Sequence, residues 1–171
     1  MDFALNSTEM TTHQLVRANL DSARTQLAET LPHLTDEMLD WAPAPGMPSI
    51  HRIFMDIIAT EQYITDGLRG LPTKTNEELD APLLSIRTAP GLVKKLTEVR
   101  AETLQYLDGL KEAELIGPAR NSDTYAKRLE LKLVPVSEVL RYIARHESYH
   151  AGQVVTYLWA RGDDPYSWAS P

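Results

Sequence analysis

The sequence predicts an all-α protein in which four long helices pack as a four-helix bundle, forming one domain over residues 1–171. Four segments carry apolar residues spaced by threes and fours, the period of a helix with one buried face. None of the four is apolar all round, so the helices must bury their stripes against one another. A length of 171 residues, with 43% hydrophobic and 24% charged residues, suits a single soluble domain with a sizeable core.

The first two helices are separated by a proline-rich connection. Periodicity predicts the first helix over residues 8–31, with Ser7 or Thr8 as its cap and Pro32 as its end. The following stretch, PHLTDEMLDWAPAPGMP, forbids a continuous helix but has room for one helical turn at residues 36–41. The second helix is expected from about Ser49 to about Leu68, before a glycine.

The third and fourth helices flank the least regular part of the chain. After a polar loop, the third helix is predicted over residues 90–110. Between residues 111 and 134 the pattern weakens, and alternating leucines at 129–133 predict a short strand or an extended arm. The fourth helix is expected over residues 135–161, where Gly162 ends it.

The composition limits which partners the protein can bind and which side chains could bind a metal. The net charge of −7 disfavours nucleic acid, because binding a phosphate backbone normally needs a basic face. The chain has no cysteine, so a metal would have to be bound by His, Asp, Glu or water. No apolar run is long enough to span a membrane and no secretory signal opens the chain, so we expect a cytoplasmic protein without a membrane partner.

Two histidines on the fourth helix are the strongest chemical signal. His146 and His150 are four residues apart, so their imidazoles lie one turn apart on the same helix face. That face coincides with the apolar stripe, where two unpaired imidazoles would be costly to bury. A shared cation would satisfy both rings, and we therefore predict that both are metal ligands. The alternative is that each is a core histidine with its own hydrogen-bond partner.

The segment from His146 to His150 also reads as H-E-x-x-H, the zinc peptidase motif in which the glutamate is the general base. The context argues against a peptidase, because the extended motif would need Gly and His where Gln153 and Thr156 stand. Glu147 and His150 also match half of a di-iron site, but the sequence has no second Glu-x-x-His. Peptidase activity remains a minor alternative, and a dinuclear oxidase is disfavoured.

Two segments, RHESYHAGQVVTYLWARG near the end and SIHRIFMDIIATEQYI in the second helix, resemble the DinB-like or YfiT-like family of metal-dependent four-helix bundles. The family pattern H-x-x-x-H-x-G-Q is met by His146, His150, Gly152 and Gln153. The resemblance implies a third ligand on the second helix, five residues before Glu61. That position holds Asp56 where the family usually has histidine.

Two carboxylates are candidates for the third metal ligand. The resemblance favours Asp56, whereas helix geometry favours Glu61, because Glu61 lies near the centre of the apolar stripe and an unpaired charge is costly there. Either would complete a set of two histidines and one carboxylate, which zinc, nickel, iron and manganese accept. His51 lies at the opposite edge of that stripe and is expected at the surface. His13 and His33 are expected on the surface or in loops.

The resemblance implies a metal-dependent transferase or hydrolase that acts on a small molecule, with a low-molecular-weight thiol as a possible partner. It also implies a homodimer. Glu147 and Glu61 are the candidate general bases. The competing hypothesis is a non-catalytic bundle that binds a metal or a small ligand in a stress response, and Asp56 in place of histidine favours it if the substitution weakens the site.

Overall fold

The computed structural model describes residues 10–120, 122–130 and 132–168, and it confirms the all-α fold. Its four long helices and three short ones are α1 Thr12–Ala28, α2 Ile50–Arg69, α3 Asn76–Leu84, α4 Ala89–Asp108, α5 Glu112–Ile116, α6 Ser122–Leu129 and α7 Val136–Ala160. Helix α7 packs against both α1 and α2, and α4 closes the bundle against α2 and α1. No helix in the described part of the chain is long and apolar enough to cross a bilayer.

The ends of the long helices follow local side-chain chemistry. Thr11 and Ser49 cap α1 and α2 through their hydroxyl oxygens, which accept backbone N–H groups of the first turn. Thr11 thus replaces Ser7 or Thr8 as the cap of α1, and those two residues lie outside the described part of the chain. Gly70 ends α2 with a left-handed φ of 76°, a conformation that residues with a Cβ adopt only at a cost.

The predicted polar loop after α2 contains a helix instead. Helix α3 begins with a capping box, in which the Thr75 side chain accepts the Glu78 backbone N–H and the Glu78 side chain accepts the Thr75 N–H. Leu79 and Leu83 lie one turn apart and are both buried. The Thr-x-x-Glu signal was present in the sequence, but a helix of nine residues carries too little periodicity to stand out.

The short strand predicted near residues 129–133 is wrong, because the described residues there contain no strand and Leu129 ends a helix. Residues 122–129 form α6, and Glu130 follows it with a left-handed φ of 53°. Leu131 lies outside the described residues. Extended pairing is limited there to one bridge between Pro118 and Pro135. Over only five residues, the positions that share one face of a helix overlap with those that share one face of a strand. A short alternation of leucines therefore does not distinguish a helix from a strand.

The core consists of two apolar clusters separated by a layer of charge. Leu20 and Ile143 belong to one cluster, whereas Leu27 and Val154 belong to the other. Where each long helix passes from one cluster to the other, it contributes one buried or half-buried charged residue. These residues are Arg24 on α1, Glu61 on α2, Arg100 on α4 and Glu147 on α7.

Candidate metal centre

Helices α2 and α7 bring three potential ligand atoms together at one point of their interface. On α7, the Nε2 atoms of His146 and His150 are 3.2 Å apart. From α2, the Oδ2 atom of Asp56 lies 3.1 Å from Nε2 of His150 and 3.7 Å from Nε2 of His146. Of the two carboxylates left open by the sequence, the structure thus brings Asp56 to the histidine pair. The three residues form a group that could hold a metal ion.

The spacing of these atoms suits a transition metal. Zinc binds imidazole nitrogen and carboxylate oxygen at about 2.0–2.1 Å, and a tetrahedral centre then holds its ligand atoms about 3.3–3.4 Å apart. The observed separations of 3.1, 3.2 and 3.7 Å bracket that value. All three atoms carry lone pairs, and their convergence is favourable only when a proton or a cation lies between them. The donor set therefore fits a metal.

Gln153 orients His150 from the next turn of α7. The Oε1 atom of Gln153 lies 2.7 Å from Nδ1 of His150, so it accepts a hydrogen bond when Nδ1 carries the proton. That tautomer leaves the Nε2 lone pair pointing toward Asp56 and His146. Gln153 is in turn held by the Tyr149 hydroxyl, 3.1 Å from its Nε2. Supports of this kind, outside the direct ligands, fix the ring orientation at metal sites.

Asp56 stands at the edge of the group, where solvent reaches it. Its side chain is 46% exposed, whereas that of His150 is 9% exposed. Contact with Nε2 of His150, which donates to the carboxylate whenever that nitrogen carries a proton, lowers the pKa of Asp56. Partial burial opposes the shift, and the nearby His146 and Arg52 add to the lowering. Asp56 therefore stays ionised at neutral pH. It also lines an open cleft of about 320 Å³ between α2, α3 and α6, and Tyr142 lines the same cleft.

Glu61 and Glu147, the candidate bases, lie elsewhere. Both are about 1% exposed, and all four of their carboxylate oxygens accept hydrogen bonds from Arg24 or Arg100. This placement favours a structural role over that of a general base. It also weighs against the peptidase alternative, because a peptidase needs this glutamate beside the metal-bound water.

The two arginines complete a neutral cluster of four charges. Arg100 binds Oε1 of Glu61 at 2.7 Å and also contacts Glu147, while its Nη1 donates to the Leu20 carbonyl at 2.6 Å. Burial alone would lower the pKa of Arg100, but the two carboxylates outweigh it and the net shift is upward. Neither arginine was predicted from the sequence as part of a site. The available signal was the position of Arg100, three residues before the buried Thr103, within the apolar stripe of the helix predicted over residues 90–110.

The remaining histidines lie away from this centre. His51 is buried, not at the surface as expected, because the loop before α4 covers it and its Nε2 lies 2.8 Å from the Ile86 carbonyl oxygen. His13 is half-buried beside Asp108, and His33 stacks on Trp168. None of the three belongs to the group around Asp56.

The fold and the site together define a class: a four-helix bundle with two histidines and a carboxylate converging between two of its helices. The chain belongs to the DinB superfamily, whose profile matches residues 19–154. The crystal structure of a conserved protein of locus from Enterococcus faecalis has a similar fold, with a TM-score of 0.68 and 20% sequence identity. The match covers 89% of this chain and 98% of that one. Among the curated proteins, none matches this chain.

Proposed function

We propose that the protein is a metal-dependent enzyme that transfers or hydrolyses a group on a small molecule, with a low-molecular-weight thiol or water as the nucleophile. The observation that carries the proposal is the convergence of Asp56, His146 and His150, with their ligand atoms within 4.8 Å of one another. Membership of the DinB superfamily adds support, because proteins of this kind are often metal-binding.

The donor set indicates the kind of metal. Two imidazole nitrogens and one carboxylate oxygen suit zinc, nickel, iron or manganese, whereas calcium and magnesium prefer oxygen ligands throughout. Three protein ligands leave at least one coordination position for a substrate, as catalytic zinc sites do. The cleft is lined by Asp56, so it would bring a small molecule from solvent to the edge of the group.

A divalent cation held by Asp56, His146 and His150 would lower the pKa of a bound thiol or water and so supply an anionic nucleophile at neutral pH. The protein's own contribution is then to bind and orient. Gln153 fixes the His150 ring, and the ionised Asp56 balances part of the cation's charge. The proton lost from such a thiol or water would pass to solvent, so the step would need neither Glu61 nor Glu147 as a base.

Elemental analysis of the purified, untagged protein tests the site. We expect about one equivalent of a transition metal in the wild type, and its loss in a His146→Ala/His150→Ala variant. His13→Ala is the matched control, because His13 is a half-buried histidine outside the group. Absence of metal from the wild type, with no thermal stabilisation by added zinc or nickel, would overturn the proposal.

Asp56 is tested separately from the histidines. Asp56→His should raise the affinity for zinc or nickel, because a neutral nitrogen ligand replaces a half-exposed carboxylate that solvent stabilises. Asp56→Ala should lower it. Unchanged affinity in both variants would remove Asp56 from the ligand set.

Catalysis is distinguished from simple binding by turnover. The metal-loaded protein should transfer small thiols to an electrophile or hydrolyse an activated ester, and the double histidine variant should not. Metal binding without turnover of either kind would favour the non-catalytic metal-binding bundle. The homodimer and the low-molecular-weight thiol partner remain part of the proposal, and sedimentation equilibrium tests the former.

A further inference from the structure

The cleft that begins at Asp56 continues along α2 into a second, narrower cavity. The two share Tyr63, Leu79 and Tyr125 in their walls, so they are parts of one groove. Asp56 lines the wide part and Gly67 lines the narrow part. Eleven residues of helix separate them, or about 16 Å at 1.5 Å per residue. The groove therefore suits an elongated molecule that lies along α2.

The narrow part is a recess of about 20 Å³. A cavity needs about 10–15 Å³ of this kind of space to hold one water molecule. The recess accordingly has room for one or two heavy atoms of a group that enters from the wide part of the groove. A carboxylate can place its two oxygen atoms there, whereas an aromatic ring or a sugar does not fit.

The recess carries positive charge. Lys74 and Asp66 both line it, and they neutralise each other in an ion pair of 3.0 Å. Arg120 lines it as well, and no carboxylate in the described part of the chain lies within ion-pair distance of its guanidinium. The net charge of these three side chains is therefore +1.

The guanidinium of Arg120 lies against the turn that ends α2. A Cβ atom at Gly70 would lie 3.1 Å from Nη1 of Arg120, so the missing side chain makes room for the guanidinium. The carboxyl end of a helix carries partial negative charge, which stabilises a cation there. Arg120 thus lies at the end of the groove, and its exposed side chain can donate N–H groups to a ligand.

We propose that this recess binds the carboxylate of an elongated small-molecule substrate, whose reacting end lies at Asp56, His146 and His150. The inference rests on the proposed metal centre, because that centre defines the other end of the molecule. Arg120 is the specificity residue, and a charge-assisted hydrogen bond from its guanidinium selects an anionic tail over a neutral one.

Paired probes of graded length test this inference. We would load the protein with cobalt or nickel and titrate it with 3-mercaptopropionate, 6-mercaptohexanoate and 11-mercaptoundecanoate, each beside the alcohol of the same length. The absorption band of thiolate bound to the metal reports occupancy without any turnover. At the length that spans the groove, the carboxylate should bind about ten-fold more tightly than its alcohol, the size expected for a charge-assisted hydrogen bond.

Arg120→Met should abolish that preference and leave the affinity for the alcohol and the metal stoichiometry unchanged. Arg161→Met is the matched control, because it removes the same charge from a residue that packs on Trp41 outside the groove. The control should keep the preference.

The possible failures are distinguishable. Equal affinities for acid and alcohol at every length, with metal bound, would overturn the recess and leave the metal centre standing. A preference that persists in Arg120→Met would also overturn it. A lower melting temperature in Arg120→Met with an unchanged preference would show that Arg120 only caps α2. A wild-type protein that binds no metal would overturn both proposals.

Discussion

Removal of Arg100 should test whether the buried charge layer stabilises the bundle as one unit. The Arg100 side chain is 7% exposed, and it contacts both buried glutamates and the Leu20 carbonyl. Arg100→Met keeps most of the volume but leaves Glu61 and Glu147 with Arg24 as their one partner. The layer then carries a net charge of −1 inside the core.

The magnitude follows from these contacts. Breaking a buried ion pair from one side costs about 3–5 kcal/mol, because the partner's charge stays buried without compensation. The Leu20 carbonyl loses one hydrogen bond, which adds about 1 kcal/mol. We expect the free energy of unfolding to fall by about 4–6 kcal/mol in total. In a domain of this size, the melting temperature should fall by about 10–20 °C.

The double variant Arg100→Met/Glu61→Leu is the sharper test. It restores neutrality and leaves Arg24 paired with Glu147, which are in direct contact in the wild type. Replacing a buried pair by apolar residues of similar volume is often neutral. We therefore expect the double variant to be more stable than either single variant, with a coupling of at least about 2 kcal/mol in the cycle.

Urea denaturation followed by circular dichroism at 222 nm, at constant pH and salt, measures all four proteins of this cycle. Arg17→Met is the control, because it breaks an exposed ion pair with Asp108 and should cost about 1 kcal/mol or less. If the two single losses add in the double variant, the charges act independently. The account of a coupled layer is then refuted.

Three further predictions concern the site and its surroundings. Gln153→Leu should weaken zinc or nickel affinity about 10–100-fold, because His150 loses the group that orients its ring, and Gln105→Leu on exposed α4 surface should not. The lowered pKa of Asp56 keeps its carboxylate ionised below the usual range of an aspartate. Because a cation binds imidazole only in its neutral form, protons compete with the metal for both histidines, and metal affinity should fall as the pH falls, with a slope approaching two log units per pH unit. A flat profile of affinity against pH, measured by isothermal titration across pH 5–8, would contradict this. Tyr157→Phe should leave the free energy of unfolding unchanged or raise it by about 1 kcal/mol, because the Tyr157 hydroxyl is buried without a hydrogen-bond partner in the described residues. A clear fall in the free energy of unfolding, measured by urea denaturation, would show that the hydroxyl has a hydrogen-bond partner.

Features that depend on neighbouring residues were predictable from the sequence. The start of α2 near Ser49 was predicted, but the cap of α1 is Thr11 and not Ser7 or Thr8. A cap is a local feature, yet periodicity does not decide which of several nearby hydroxyl residues provides it. The spacing of His146 and His150 places both on one face of α7 whatever surrounds that helix. Short helices such as α3 were missed because a capping box and two leucines give little periodic signal.

Pairings between helices were not predictable from periodicity. Asp56 and Glu61 lie on different faces of α2, and the apolar stripe alone favoured Glu61 as the residue that meets the histidines. In the structure α2 packs against both α4 and α7, so its inward surface is broader than one stripe. Glu61 faces Arg24 and Arg100, whereas Asp56 faces α7 from the rim.

The sequence by itself determined the helical class, the positions of the four long helices and the shared face of the histidine pair, because caps and the 3.6-residue period act within a single helix. The tertiary structure decided which carboxylate meets that pair, which arginines neutralise the buried glutamates and where Arg120 stands over Gly70. Those contacts join residues that are 37 to 123 positions apart in the charge layer and 50 in the groove. They depend on the relative rotation and register of packed helices, and neither can be inferred from the sequence of a single helix.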